Sequence, residues 1–272
     1  MISVPEVVVE RVAAAIGSGE PLADLAAKSA RAVGANGIVA VVAATFSNPE
    51  RFPSLAVRVA ASLGLPPSVA AFDLQMACSA YPYALYLAGR LSADLGGKVL
   101  VVDGDVQSPF VDESDHATGK IFSDACTATV VSANPDGTSA FDFLSRQDEA
   151  LVCGASGPIK MDGFKVFSFV ATEVSKFLKD FLLSTSAPDF FAPHQANPYM
   201  VRQLADALEL KERLLTIPEE LKNPGSCSIP LALAHNASRL PGSRVLVAGF
   251  GAGYSASAGI VRIAGDYEGK VL

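Results

Sequence analysis

Ala71-Phe72-Asp73-Leu74-Gln75-Met76-Ala77-Cys78-Ser79-Ala80-Tyr81 is the stretch around which the rest of the chain is arranged. Its first half has the composition of a buried strand, its centre is a run of small residues suited to a turn, and from Tyr81 to Leu91 apolar residues continue as in a packed helix. Cys78 stands at the joint. A thiol at the first turn of a helix meets N–H groups without intrahelical partners and the positive end of the helix dipole, and both favour the thiolate. That makes Cys78 a candidate nucleophile. The same position also suits a small core hydrophobe, because free cysteine is among the most buried residue types. On these eleven residues alone both readings stand.

On either side the chain alternates buried strands with helices. Toward the N-terminus, Pro21 to Ala32 has helical spacing of Leu22, Leu25, Ala26 and Ala32, with Gly34 and Gly37 as stop signals. Gly37 to Thr45 is a continuous Val-rich run of the kind found in strands covered on both faces. A loop with Asn48-Pro49 and Phe52-Pro53 leads into a helix over Ser54 to Leu63. Beyond Cys78, Lys98 to Gly104 reads as a buried strand, Asp112 to Lys120 as a polar loop and Ala125 to Ala133 as a strand. The turn-rich Asn134-Pro135-Asp136-Gly137 is the best internal boundary, dividing the chain into halves at 1–137 and 138–272. In the second half, Gly163 to Leu183 reads as a long amphipathic helix, Phe190 to Pro193 as the end of a short strand and Asn197 to Leu208 as a helix. Pro230 to Arg239 is helical, followed by strands over Ser243 to Gly249 and Ser255 to Ile263. Val4 to Gly17 shows no clear period and receives no assignment. The alternation predicts an α/β architecture with a parallel or mixed sheet, and the repeated strand–helix grammar hints at a structural duplication.

Composition narrows the function. With 272 residues, half of them hydrophobic, and a mean hydropathy of +0.34, the chain can bury a sizeable core. The first twenty residues carry acids and no basic segment, which argues against a signal peptide, and runs such as Gly37 to Phe46 are about half the length that spans a bilayer. A soluble, cytoplasmic protein with no membrane partner is expected. The net charge of −7 and the lack of a Lys/Arg cluster make nucleic acid a poor partner. Cys78, Cys126, Cys153 and Cys227 lie far apart, with no C-x-x-C and no neighbouring His, so neither a metal site nor a disulfide framework is expected.

Three polar sites stand out. Cys78 is the first. The second is Pro193-His194-Gln195-Ala196-Asn197, which puts one of only three histidines where a strand ends, a position from which side chains project into clefts. A histidine satisfied inside a loop network fits there equally well. The third is Asn223-Pro-Gly-Ser-Cys-Ser-Ile-Pro230, a small-residue loop opening a helix, in which Asn223 also suits a turn or a cap. Gly249-Phe-Gly-Ala-Gly-Tyr254 lies between two strands, so it is neither a dinucleotide fingerprint nor a P-loop; it fits a tight turn whose N–H groups approach a ligand oxygen.

In this order the motifs resemble a family. Asp73 to Ala77 before Cys78, Met161-Asp-Gly163 with Val166-Phe167, His194-Gln-Ala-Asn197, Asn223 seven residues ahead of Pro230, and the Gly-rich turn Phe250 to Tyr254 are similar to the thiolase-fold condensing enzymes, most closely the β-ketoacyl-acyl-carrier-protein synthase III group. The resemblance covers roughly residues 22 to 265. It implies two similar α-β-α-β-α halves forming a five-layered α/β/α/β/α domain, and an acyltransferase in fatty acid or polyketide/secondary-metabolite biosynthesis. In such enzymes a cysteine takes an acyl group from a thioester, and a malonyl thioester then decarboxylates and attacks it. By that resemblance Cys78 is the nucleophile and its backbone N–H, with that of Ala252, forms the oxyanion hole. His194 and Asn223 donate hydrogen bonds to the malonyl thioester oxygen, Asn197 lies close to the pantetheine arm, and Phe52 reaches across a dimer into the partner's acyl pocket. The substrates are thioesters of CoA or acyl carrier protein, no cofactor is bound permanently, and the assembly is a homodimer or a heterodimer with a related subunit.

The chain also departs from the family pattern. It is N-terminally shortened, lacking the family's opening strand and long loop, and it has no Trp to stack an adenine. Tyr199 and Asp206 stand where basic residues commonly contact the carrier protein. Other readings are acyl transfer to an oxygen or nitrogen nucleophile without decarboxylation, a non-catalytic partner subunit, and a cysteine hydrolase, since the order Cys, His, Asn also occurs in papain-like proteases. Those proteases carry a Trp near the Cys and disulfides, and this chain has neither signal.

Overall fold

The computed structural model describes residues 1–116, 118–154 and 157–272. In chain order its elements are β1 (Ile2–Ile16), α1 (Leu22–Val33), β2 (Ile38–Ala44), α2 (Leu55–Ser62), β3 (Ala70–Leu74), α3 (Ala80–Leu95), β4 (Lys98–Asp105) and β5 (Ala125–Ser145). There follow β6 (Leu151–Val152), β7 (Lys160–Met161), α4 (Gly163–Phe169), α5 (Ser175–Leu183), β8 (Phe190–Pro193), α6 (Pro198–Ala207), α7 (Ser228–His235), β9 (Arg244–Gly251) and β10 (Ser255–Val271). Eight strands join in the order β3-β2-β4-β5-β1-β10-β9-β8, and β6 and β7 form a separate short hairpin.

Side-chain alternation along the strands sorts the molecule into layers. On β2, Ile38, Val41 and Ala43 face α1 and α2 in one core, while Ala40, Val42 and Ala44 face α3 in a second. On β9, Val245 and Val247 face that second core, and Leu246, Ala248 and Phe250 face a third, built on α4, α5 and α6. Helices α3 and α7 therefore lie between two sheet regions, each covered outside by further helices. This is the five-layered α/β/α/β/α arrangement that the resemblance implies. Because both faces are covered, the strands read as unbroken apolar runs.

Three local features differ from the sequence reading. Val4 to Gly17, which has no clear period, belongs to the fifteen-residue strand β1. It lies between β5, to which it is antiparallel, and β10, to which it is parallel. Its two faces pack on different layers at different depths, which removes the simple alternation of a half-exposed strand. The opening strand expected to be missing is thus filled by residues 2–16. The division at residue 137 falls inside β5, which runs through to Ser145. There the pairing with β1 jumps from Glu6↔Asn134 to Pro5↔Thr138, so the Pro135-Asp136-Gly137 turn signal is a bulge without a linker. Beyond it β5 stays paired with β1 from Thr138 to Phe141, and from Phe141 to Ser145 it pairs with β10 at Gly259 to Ser255. The helix expected over Gly163 to Leu183 is interrupted by a π-turn at Val170–Val174.

Asp73 shows how local chemistry fixes the frame around the site. Its carboxylate, on β3, accepts hydrogen bonds from Leu55 N (2.8 Å) and Ala56 N (2.9 Å), capping the free N–H groups of α2 together with Ser54 Oγ.

Candidate active site

Cys78 lies in a single 3-10 turn, Ala77–Ser79, immediately ahead of α3. Ala77 holds φ 43°, a left-handed conformation unusual for a residue with a side chain, and it turns the chain sharply from strand to helix. The turn is tied to the opposite half of the molecule. Ser79 Oγ lies 2.7 Å from Ser255 Oγ, and Ser257 Oγ donates to Ser79 O (2.8 Å). The approach of β9 is closer still: a Cβ on Gly249 would lie 2.7 Å from Ser79 Cα, and one on Gly251 would lie 3.2 Å from Cys78 Sγ. Gly251 also sits at φ 149°, so the strand end can pass the sulfur only without a side chain.

The electrostatics at the sulfur are mixed. Burial pushes the Cys78 thiol up to about 11, hydrogen bonds from the N–H of Ala252 and from its own N–H pull it down, and the charge of Asp105 pushes it up again. The expectation of a resting thiolate is therefore corrected. Desolvation, the largest of these effects, favours the thiol over the thiolate. The two N–H groups expected to form the oxyanion hole do converge on the sulfur.

His194 follows β8 directly, its N–H donating to Ala248 O on β9 (2.7 Å). The side chain is buried and meets the edge of Phe250 at 5.5 Å. Its Nδ1 lies 3.1 Å from Gly225 O and 2.9 Å from Ser228 Oγ. Burial pushes its pKa down to about 4, so the imidazole is neutral at physiological pH. Asn223 is buried opposite. Its Oδ1 accepts from Gly225 N (3.0 Å), and its backbone oxygen accepts from Gln107 Nε2 (3.0 Å). Since the carbonyl end of the amide is held by Gly225, the NH2 end is left for a ligand.

Cys78, His194 and Asn223, with Phe250 and Gly251, line one cavity of about 330 Å3 whose opposite wall carries Met161, Val166 and Phe167. A second cavity of about 630 Å3 also meets Cys78, walled by Phe46, Phe110, Phe122, Leu151 and Ile159. Sulfur that lines both a smaller and a larger cavity suits a group carried from one to the other. Asn197 also lines the first cavity, but its Oδ1 is occupied as the N-cap of α6, accepting from Met200 N (2.8 Å). Ala252 lines the second. Phe52 lines neither of these two cavities and is 86% exposed. Tyr199, also exposed, stacks on Phe167, and Asp206 pairs with Lys211 at 3.5 Å.

Several residues of the site escape sequence reasoning. Asp105 on β4 accepts four hydrogen bonds on Oδ1, from Thr45 Oγ1, Phe46 N, Ser47 N and Ser47 Oγ (2.7–3.0 Å), and so fastens the loop that walls the larger cavity. Burial raises its pKa to about 6, and burial together with Asp105 raises that of Asp103 well above the carboxylate range. Ser226 Oγ accepts from Tyr81 N (2.8 Å), joining the Asn223 loop to the start of α3. The signal for Ser226 and Ser228 is the small-residue run after Asn223; for Asp105 the only signal is a charge inside an apolar strand.

Comparisons with known proteins agree with this geometry. A family model described as 3-oxoacyl-[acyl-carrier-protein (ACP)] synthase III matches residues 72–149, and its C-terminal counterpart matches residues 178–263. The β-ketoacyl-[acyl-carrier-protein] synthase III of Acholeplasma laidlawii is 31% identical over 264 residues, spanning 91% of this chain and 85% of the relative. That of Pseudomonas aeruginosa is 34% identical, spanning 89% and 81%. The crystal structure of the Pseudomonas aeruginosa synthase III superposes with a TM-score of 0.85 at 27% identity over 95% of this chain and 98% of that one. A priming β-ketosynthase of a polyketide pathway gives 0.75 at 26% identity, over 84% and 75%. With a shared fold, a cysteine, histidine and asparagine around one cavity, and matches along nearly its whole length, the chain belongs to the β-ketoacyl-acyl-carrier-protein synthase III family of acyltransferases, thiolase-fold enzymes of decarboxylative condensation in fatty acid or polyketide synthesis.

Proposed function

We propose that Cys78 carries the acyl group in this reaction. Its sulfur attacks the carbonyl of an acyl thioester of CoA or acyl carrier protein, the carbon–sulfur bond to the donor breaks, and the donor leaves as a thiol. The tetrahedral oxyanion is met by the N–H groups of Cys78 and Ala252, and the acyl chain occupies the larger cavity, against the rings of Phe46, Phe110 and Phe122. A malonyl thioester then enters the smaller cavity beside Asn197 and loses CO2. The electron pair of the broken bond becomes an enolate, whose oxygen accepts from the NH2 of Asn223. The enolate carbon attacks the acyl group and expels Cys78 thiolate, leaving a β-ketoacyl thioester. Preorganised donors where charge develops, in a site closed to water, account for the largest part of such catalysis.

The supporting observation is that the sulfur meets both cavities, with Asn223 and His194 facing it in the smaller one. Sulfur, two backbone N–H groups and the Asn223 amide supply these steps, and the scheme calls for no resident cofactor. The test is intact-protein mass spectrometry after incubation with a panel of acyl-CoA and acyl-carrier-protein thioesters, followed by CO2 release from a malonyl thioester. Acyl adducts absent from Cys78→Ala, with CO2 release, are expected. Adducts without CO2 release favour transfer to an oxygen or nitrogen nucleophile.

We also infer a homodimer through the edge strand β3. Phe72 (36% exposed) on this edge strand, Val57 (44%) on α2 and Phe52 (86%) in the loop before it are exposed apolar side chains that a partner would cover. Sedimentation velocity should give twice the chain mass, and Phe52→Ser should shift it toward the monomer.

A further inference from the structure

The larger cavity carries charge chemistry besides the sulfur. Among the described residues its wall has no carboxylate and a single charged side chain, Arg51. Arg51 is exposed and Cys78 half-buried, so the cation stands toward the solvent end of the space and the sulfur toward its closed end. Half-buried Phe46, Phe110 and Phe122 wall the same space, the first two rings tilted against each other at 5.9 Å. The guanidinium has no partner of its own. Glu50, its neighbour in the chain, pairs with Arg58, and among the described residues neither a carboxylate nor an aromatic ring pairs with Arg51. Gln75, exposed on the same cavity, likewise makes no side-chain hydrogen bond among the described residues. The Gln107 amide, by contrast, is spent: its Nε2 donates to Ser123 O (2.8 Å) and Asn223 O (3.0 Å). A lone surface arginine is ordinary where water covers it; this one lines the space assigned to the acyl chain.

We propose that the acyl group loaded by this chain is an ω-carboxyacyl group, the half-thioester of a dicarboxylic acid, whose methylene chain passes the three rings and whose distal carboxylate is held by the Arg51 guanidinium, with the Gln75 amide as a further donor. This rests on the reading of Cys78 as the acyl-bearing sulfur and of the larger cavity as the acyl site. A planar guanidinium takes a carboxylate through two parallel N–H bonds, a geometry no other side chain offers. A carboxylate entering a cavity of rings alone would lose its water without return and be rejected. An alkyl end beside Arg51 has the opposite fault, because it strips water from the cation and replaces none of the hydrogen bonds. The cavity thus selects the acyl group at both ends, the thioester carbon by the sulfur and the tail by charge. Arg51 is a specificity residue and takes no part in the bond changes at the thioester.

The test offers the full-length protein CoA thioesters in pairs of equal chain length, succinyl with butyryl, adipoyl with hexanoyl and suberoyl with octanoyl, and follows loading of Cys78 by peptide mass. At low salt, and at the length that reaches the guanidinium, the ω-carboxyacyl partner should load about tenfold faster, an effect between that of an exposed ion pair and that of a desolvated charge-assisted hydrogen bond. Added KCl should shrink the ratio. Arg51→Ala should bring it to one or below, and Arg51→Lys should keep part of it. Monocarboxylic partners that load as fast or faster at every length overturn the proposal, whether or not the variants fold. So does an Arg51→Ala protein that keeps the wild-type ratio. Titration calorimetry of Cys78→Ala with the same pairs separates the two readings. If no thioester loads the wild type but an ω-carboxyacyl-CoA still binds more tightly than its partner, the reading of Cys78 fails and the carboxylate site stands; equal binding at every length removes the site.

Discussion

Gly249→Ala tests how tightly the nucleophile is seated. The added Cβ would lie 2.7 Å from Ser79 Cα and 2.9 Å from Cys78 O, both backbone atoms that no rotamer change can move. Ordinary contact begins near 3.4 Å, so the turn and β9 must separate by about 3.4 − 2.7 = 0.7 Å. Overpacking of this kind costs about 1–3 kcal/mol, which for a chain of this size lowers the melting temperature by a few to about ten degrees. The catalytic effect should be larger than the loss of stability. A displacement approaching 1 Å costs on the order of a hundredfold in rate, and the N–H groups of Ala252 and Cys78 converge on the sulfur across this contact. Loading of Cys78, followed by intact mass, should therefore slow tenfold to a hundredfold in protein that still melts cooperatively. Gly265→Ala, where nothing lies within 4 Å, is the control and should match the wild type. A Gly249→Ala protein that melts and loads like the wild type would refute the idea that close approach of β9 seats the nucleophile.

Asn223→Ala should leave acyl loading within a few-fold of wild type while lowering CO2 release on the order of a hundredfold or more, the usual cost of losing one donor to a developing oxyanion; equal loss in both steps would contradict the division of roles. Because burial holds the Cys78 thiol at about 11, its alkylation by iodoacetamide, resolved from Cys153 by peptide mass, should rise about tenfold per pH unit from pH 7 to 10, and a plateau near pH 8 would refute the elevated value. His194 is lowered from 6.5 to about 4, so between those values the unfolded chain binds the extra proton and stability falls as pH drops, by about 3 kcal/mol. Asp105 is raised from 3.8 to about 6, so over that window the folded chain binds the proton and stability rises as pH drops, by about the same amount. The wild type should consequently change little between pH 6 and 4 from these two groups, whereas His194→Gln should gain about 3 kcal/mol relative to wild type over the fall from pH 7 to 4; denaturant titrations at both pH values measure it.

Much of this was legible in the chain itself. Strands β2, β4 and β9 announce themselves as Val- and Ala-rich runs because both faces are buried, and the Cys78 turn, His194 and Asn223 stand out as polar interruptions. β1 did not, because its Glu6, Glu10 and Arg11 break the apolar pattern; Glu6 and Glu10 are only part-buried, pairing with Arg262 and Lys98. Asn134-Pro135-Asp136-Gly137 carries turn chemistry, and only the register with β1 shows that it is absorbed as a bulge. The ionisation of Cys78 was misjudged for a related reason. A helix end is visible in sequence, but burial in the folded chain and the charge of Asp105 depend on segments far away along it. The hydrogen-bond sense of His194 and Asn223 likewise depends on one peptide, Gly225, whose position no spacing rule supplies.

The passage of β5 from β1 to β10 limits how the molecule can be recombined. A chimera joined at residue 137 to the matching half of a relative would cut across a strand whose two ends are ladder partners in different layers, so both parents would have to agree on the length of that three-residue bulge. Crossover points outside the strand, in the loops that precede Ala125 or follow Ser145, keep the ladder in one parent and are where exchange should be tolerated.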